Sequence, residues 1–128
     1  MRLQTLFFAF IAWLFVACSS APAHPNIRRV DAAEFAHAIG DTTTIVLDVR
    51  TPKEHAAGAI STKDLNINVM SDDFEERIRK ELPKGATIAI YCRSGNRSQK
   101  AAKILSENGF HVVELSTGYK GWMAHSEK

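Results

Sequence analysis

The chain has only two cysteines among its 128 residues, Cys18 and Cys92. It has no long run of like charge, no internal repeat, and no low-complexity tract after its first two dozen residues. Each absence closes off a class of function. Without a basic or acidic block, neither nucleic acid nor an anionic membrane surface is an expected partner. The pair Arg28-Arg29 is too short to count as one. His24, His37, His55, His111 and His125 show no metal-ligand spacing, so no metal site is expected.

One apolar run stands out, from Leu6 to Ala17, with Arg2 the only charge before it and small residues and Pro22 after it. A positive start, an apolar middle and a small-residue end is the layout of a secretory signal. A membrane-spanning helix needs about 20 apolar residues, more than this run supplies. Two processing alternatives stay open. Ala21-Pro22-Ala23 fits an A-x-A cleavage site that releases a soluble chain starting at His24. Leu14-Phe15-Val16-Ala17-Cys18 resembles a bacterial lipobox, although Phe15 is less usual there than Leu, and makes Cys18 a lipidation candidate. Residues 1–23 are therefore read as signal segment and tether, and 24–128 as one domain. The expected location is exported and periplasmic, with a tie to the membrane only through a lipid on Cys18.

Setting Arg2 aside leaves 15 basic against 14 acidic side chains, a nearly neutral domain. With Cys18 removed or acylated, Cys92 has no partner for a disulfide. A lone thiol in an oxidising compartment is either buried and inert or has work to do.

Along the domain, strand and helix signals alternate. Asp31 with Glu34 resembles a capping box opening a helix that Gly40 closes. Thr43–Val49 is β-branched and apolar and reads as a buried strand, broken by Thr51-Pro52. Glu54–Ala57 supports one helical turn before Gly58. Leu65–Val69 alternates apolar and polar, as a half-buried strand does. Asp72 is expected to start a helix with Phe74, Ile78 and Leu82 on one face, stopped by Pro83 and Gly85. Ala86–Tyr91 is a second apolar strand, Ser98–Asn108 a helix capped by Gly109-Phe110, and Val112–Leu115 a third strand. A short helix around Trp122 ends the chain. This alternation predicts the α/β class, a central mostly parallel sheet with helices on both faces. Ligands in such sheets sit at the carboxyl ends of strands, and Cys92 is the first residue past one.

The segment Cys92-Arg93-Ser94-Gly95-Asn96-Arg97-Ser98 runs from strand into helix. A nucleophilic sulfur must be a thiolate near neutral pH, below the ordinary cysteine value of about 8.5. Three features favour that. The helix N-terminus brings unpaired N–H groups, Arg93 and Arg97 bring charge, and Gly95 can take a positive φ that curls the N–H groups into an anion nest. Taken singly, Gly95 could be an ordinary turn glycine and Arg97 a solvated arginine; their spacing from Cys92 favours the reactive reading.

This loop resembles the active-site loop of single-domain rhodaneses, the thiosulfate sulfurtransferase family. The resemblance extends to Leu47-Asp48-Val49-Arg50-Thr51-Pro52 with Glu54 and Gly58-Ala59-Ile60. It also takes in Ala101-Ala102 through Leu105, Gly109-Phe110, and Gly118-Tyr119-Lys120-Gly121-Trp122. It implies a rhodanese-like fold and a persulfide mechanism. Cys92 would take the outer sulfur of thiosulfate, release sulfite, and pass the sulfur to cyanide, a thiol or a thioredoxin-like protein. No cofactor is implied. Loop N–H groups would steady the persulfide, and Arg93 and Arg97 would orient the sulfonate. Asp48 and Arg50 match an aspartate and arginine near the family's active site and are read as support for the loop, with surface pairing the alternative.

Three departures bear on the pocket rim. Ala59 stands where the family usually has histidine, Ser61–Asp64 is one residue longer than usual, and Thr117 replaces the first of two glycines. Three rival functions are distinguishable. A phosphatase or arsenate reductase of related fold has a loop one residue longer than the six residues from Cys92 to Arg97. A non-catalytic binding module would be expected to lack the cysteine. A redox thiol protein would need a resolving cysteine.

Overall fold

Strand and helix alternate without exception along residues 24–128, the part of the chain that this computed structural model describes. The signal segment, Cys18 and the Ala21-Pro22-Ala23 site lie outside the described residues. The elements are β1 (Ile27–Val30), α1 (Ala32–Ile39), β2 (Ile45–Asp48), α2 (Pro52–Ala57) and β3 (Leu65–Asn66), followed by α3 (Phe74–Glu81), β4 (Thr87–Tyr91), α4 (Arg97–Glu107), β5 (His111–Leu115) and α5 (Gly118–Ser126). All four strand pairings are parallel, and the sheet order is β1-β5-β4-β2-β3. The α/β expectation holds, with a wholly parallel sheet.

Residue parity along the central strand divides the core. Ile88 and Ile90 point to one face with Cys92, where α3 and α4 contribute Phe74, Ile78, Ala101 and Leu105. Ala89 and Tyr91 point to the other, against Phe35 of α1 and Trp122 of α5. Phe35 meets Tyr91 and Trp122 edge-on, with ring centroids 6.5 and 5.9 Å away. Both faces are therefore sealed, as a parallel sheet requires.

Local chemistry accounts for most boundaries. Asp31 caps α1 by accepting from the Glu34 N–H at 2.9 Å, and Thr51 caps α2 through Glu54 N–H at 3.2 Å. The Phe110 N–H reaches back to the Leu105 carbonyl at 3.1 Å to close α4.

Four expectations need correction. β1 has no counterpart in the sequence reading, since two of its four residues are the arginines Arg28 and Arg29; at the sheet edge both stay largely exposed, Arg29 reaching Glu114 with its Nε, while Val30 is buried. β2 begins at Ile45 rather than Thr43, because the Asp41 carboxylate holds Thr43 in a turn by accepting from both its N–H and hydroxyl. β3 pairs through only Leu65 and Asn66, although Ile67 and Val69 beyond it are buried as the alternation implies. α3 begins at Phe74, with Asp72 outside it and no side-chain cap.

Candidate active site

Because every strand runs the same way, the loops leaving β2, β4 and β5 gather at one edge of the sheet. β2 leads outward to β3 while β4 leads to β5 on its other side, so the crevice between β2 and β4 is a topological switch point. Cys92 follows β4 there.

The loop closes around the sulfur. Gly95 takes φ +92° and turns its N–H onto the Cys92 Sγ at 3.1 Å. A Cβ on Gly95 would stand 2.0 Å from the Ser116 carbonyl oxygen, so the glycine is demanded by both conformation and contact. The Ser98 hydroxyl lies 3.4 Å from the same sulfur. Burial pushes the Cys92 thiol up, but the Ser98 hydroxyl and the N–H groups of Ser98, Gly95 and Ser94 outweigh it and hold the thiol below its ordinary value. Hydrogen bonds and dipoles lead in this, and the Arg97 charge acts on the sulfur beside them.

The arginines stand apart from that ring. Arg97 spends its guanidinium on a bidentate pair with Glu54, Nη1–Oε1 2.7 Å and Nη2–Oε2 2.9 Å. Glu54 is held down to about 2 by this pair, its own burial opposing. Arg97 therefore clamps α4 to α2 instead of standing open to a ligand. Arg93 is exposed, as are Ser94 and Asn96. Asn96 begins α4 without a capping side-chain bond.

Asp48 and Arg50 are both buried, which removes surface pairing as their explanation. Arg50 binds Asp48 through Nε (2.9 Å) and Nη2 (2.7 Å) and the Gly58 carbonyl through Nη2 (2.6 Å). Its guanidinium lies 4.4 Å from the Tyr119 ring centroid and 5.4 Å from that of Tyr91. Tyr119 in turn donates its N–H to the Cys92 carbonyl at 2.8 Å. The pair therefore braces the loop from below. His55 is occupied on Asp48, with Nδ1 2.9 Å from Oδ2. Among the described residues no three His, Cys, Asp or Glu side chains gather as metal ligands do.

The departures find structural roles. Thr117 has φ −93°, open to any residue, while Gly118 after it has φ +65°. The longer Ser61–Asp64 segment brings Asp64 Oδ2 to the Tyr91 hydroxyl at 2.8 Å and to the Ser61 N–H at 3.0 Å. Burial raises the Asp64 carboxyl and drives the Tyr91 phenol far up, so Tyr91 remains a donor. Ala59 is half-buried beside Gly58, whose carbonyl accepts from Arg50.

Sequence reasoning missed three participants. Glu114 is a buried carboxylate bonded to Ser98 (2.7 Å) and Arg29 (2.8 Å). Tyr119 and Lys120 join Arg50, Glu54, Gly58 and Arg93 around an open depression of about 360 Å³ beside the loop. Lys120 and Tyr119 belong to a recognised motif, which could have flagged them. The one signal for Glu114 was a carboxylate inside the apolar run Val112–Leu115.

Residues 31–125 match the Rhodanese-like domain. The chain belongs to the rhodanese family. This rhodanese-like domain is 33% identical over 102 residues to a sulfurtransferase of Allochromatium vinosum, covering 77% of the present chain and 91% of that protein. It is 38% identical over 79 residues to the thiosulfate sulfurtransferase PspE of Escherichia coli K12, covering 58% and 69% respectively. A tRNA uridine(34) hydroxylase of Pelagibacter ubique is 29% identical over 102 residues, but the rhodanese-like chain spans only 34% of it. The crystal structure of a rhodanese-related protein from Thermoplasma volcanium superimposes with TM-score 0.62 at 30% identity, covering 77% of this chain and 92% of that one.

Proposed function

We propose that this rhodanese-like domain is a thiosulfate sulfurtransferase that carries sulfur as a persulfide on Cys92. The observation that carries this reading is the Gly95 N–H aimed at Cys92 Sγ at 3.1 Å within a six-residue loop. A ring of N–H groups closing on one sulfur suits a persulfide, a smaller anion than a phosphoryl group with three equatorial oxygens. The Cys92 thiolate attacks the outer sulfur of thiosulfate; the new S–S bond forms as the old one breaks, and sulfite leaves with the electron pair. A nucleophile such as cyanide or a thiol, including a thioredoxin-like protein, then attacks the outer sulfur, and Cys92 departs as thiolate. Because Arg97 is committed to Glu54, the sulfonate is assigned to Arg93 and Lys120 at the rim of the depression.

Steady-state kinetics with thiosulfate and with mercaptopyruvate, against cyanide, small thiols and thioredoxin, tests the donor and acceptor. Turnover with thiosulfate and negligible aryl phosphate hydrolysis are expected. Efficient phosphatase activity that disappears in Cys92→Ser would overturn the proposal. We also propose that the domain is exported to the periplasm, on the strength of residues 1–23, and anchored through Cys18.

A further inference from the structure

Glu114 interrupts an apolar strand. Val113 and Leu115 on either side of it face α1 and α5, so strand parity turns Glu114 toward α4, the same face as Val112. It is 1% exposed where the pattern calls for an aliphatic side chain. A buried carboxylate is retained only with partners, and this one has two. Oε2 accepts from Arg29 Nε at 2.8 Å, and Oε1 accepts from Ser98 Oγ at 2.7 Å.

Ser98, itself fully buried, is also the side chain hydrogen-bonded to the reactive sulfur, with Oγ 3.4 Å from Cys92 Sγ. A serine hydroxyl owns one hydrogen and two lone pairs. While Glu114 accepts that hydrogen, Ser98 offers Cys92 only lone pairs, which suit a thiol. The help that Ser98 gives the thiolate needs its hydrogen turned to sulfur, so the thiolate gains it only in competition with the carboxylate. We infer that Glu114 is a positioning residue that keeps the Cys92 sulfur basic, by competing with it for the single Ser98 hydrogen. The inference rests on Cys92 being the sulfur-carrying nucleophile, though the titration that decides it uses no sulfur donor.

The competition has a chemical use. A thiolate stabilised too far attacks poorly, since nucleophilicity falls with basicity along a Brønsted slope of about 0.4–0.5. The N–H ring lowers the thiol, and Glu114 limits how far. Of the other charges, Arg29 on β1 is bonded to Glu114, Arg97 with its Glu54 partner acts on Cys92, and Arg50, Arg93 and Lys120 line the depression beside the loop. All are retained in the variants below.

In Glu114→Gln, Arg29 Nε–H still needs an acceptor, so the amide turns its oxygen to Arg29 and its NH2 to Ser98. Ser98 then accepts from the amide and gives its hydrogen to sulfur. Thiolate absorbance in the ultraviolet, followed against pH in the donor-free protein, should titrate about one pH unit lower than in the wild type. Above both midpoints, single-turnover persulfidation by thiosulfate should slow about threefold. In a Ser98→Ala background, adding Glu114→Gln should move the midpoint by less than half as much. Glu114→Asp keeps the charge, draws back from Ser98, and serves if the glutamine variant does not fold; its midpoint should also fall. A folded Glu114 variant with an unchanged or raised midpoint overturns the inference. So does an equal shift with and without Ser98, which would mean that charge alone acts through space.

Discussion

Gly118 lies directly beneath Arg93: a Cβ placed on it would stand 2.5 Å from both the carbonyl carbon and the oxygen of Arg93, and 2.6 Å from the Ser94 nitrogen. The start of α5 is thus a floor for the loop that follows β4. Gly118→Ala forces either the floor or the loop to move, and its φ of +65° is itself unfavourable for alanine. We expect a loss of about 1–3 kcal/mol in urea unfolding and a larger proportional loss of sulfur transfer. Thr117→Gly, at ordinary φ, should leave transfer within twofold of the parent. A Gly118→Ala protein with full activity would show that the loop does not need this floor.

The clamp between α2 and α4 predicts an acid-side effect. Glu54 falls from 4.5 unfolded to about 2 folded, so its ionised form stabilises the native state above the unfolded value. That contribution declines as pH drops through the window between the two and is gone below about 2. Glu54→Gln should therefore lose about 1 kcal/mol at pH 7, the scale of a partly exposed pair. It should also show a shallower decline in stability between pH 4.5 and pH 2. Urea unfolding across that range measures both. Parallel stability curves for the two proteins would refute the clamp.

Beneath the loop, Arg50 and Asp48 are buried together, and removing one partner strands the other. Arg50→Met should cost roughly 3–5 kcal/mol by urea unfolding. Pairing it with Asp48→Leu should recover part of that loss while leaving sulfur transfer depressed, because Tyr119 and Gly58 lose their brace. A single Arg50→Met variant of wild-type stability would contradict the buried-pair reading.

Some of this arrangement is legible in the sequence and some is not, and the difference is physical. The loop from Cys92 to Ser98 is readable because its signals are local: an apolar strand, a glycine with a special φ, and a helix start within a few residues. The capping of α1 by Asp31 is local too, and the structure matches it. Arg97 reads as a ligand-facing charge because nothing nearby in sequence accepts it; Glu54, 43 residues earlier, meets it only after the sheet assembles. Glu114 is hidden for the same reason. Its partners Arg29 and Ser98 come from β1 and α4, and β1 itself is masked by two arginines whose exposure follows from being at the sheet edge.

The proposed anchor is tested independently of the catalysis. Expressed at full length in a Gram-negative host, the protein should partition with membranes and incorporate labelled palmitate, and Cys18→Ser should abolish both. A soluble periplasmic product beginning at His24 would favour cleavage after Ala23 and leave the chemistry of Cys92 untouched.

The most direct test of the central proposal is the intact mass of the purified domain after brief exposure to thiosulfate. A gain of one sulfur atom is expected, located on Cys92 by peptide mapping, removed by cyanide as thiocyanate, and absent in Cys92→Ser. Retention of thiosulfate turnover by Cys92→Ser, or no sulfur on Cys92 in a folded wild-type protein, would contradict it.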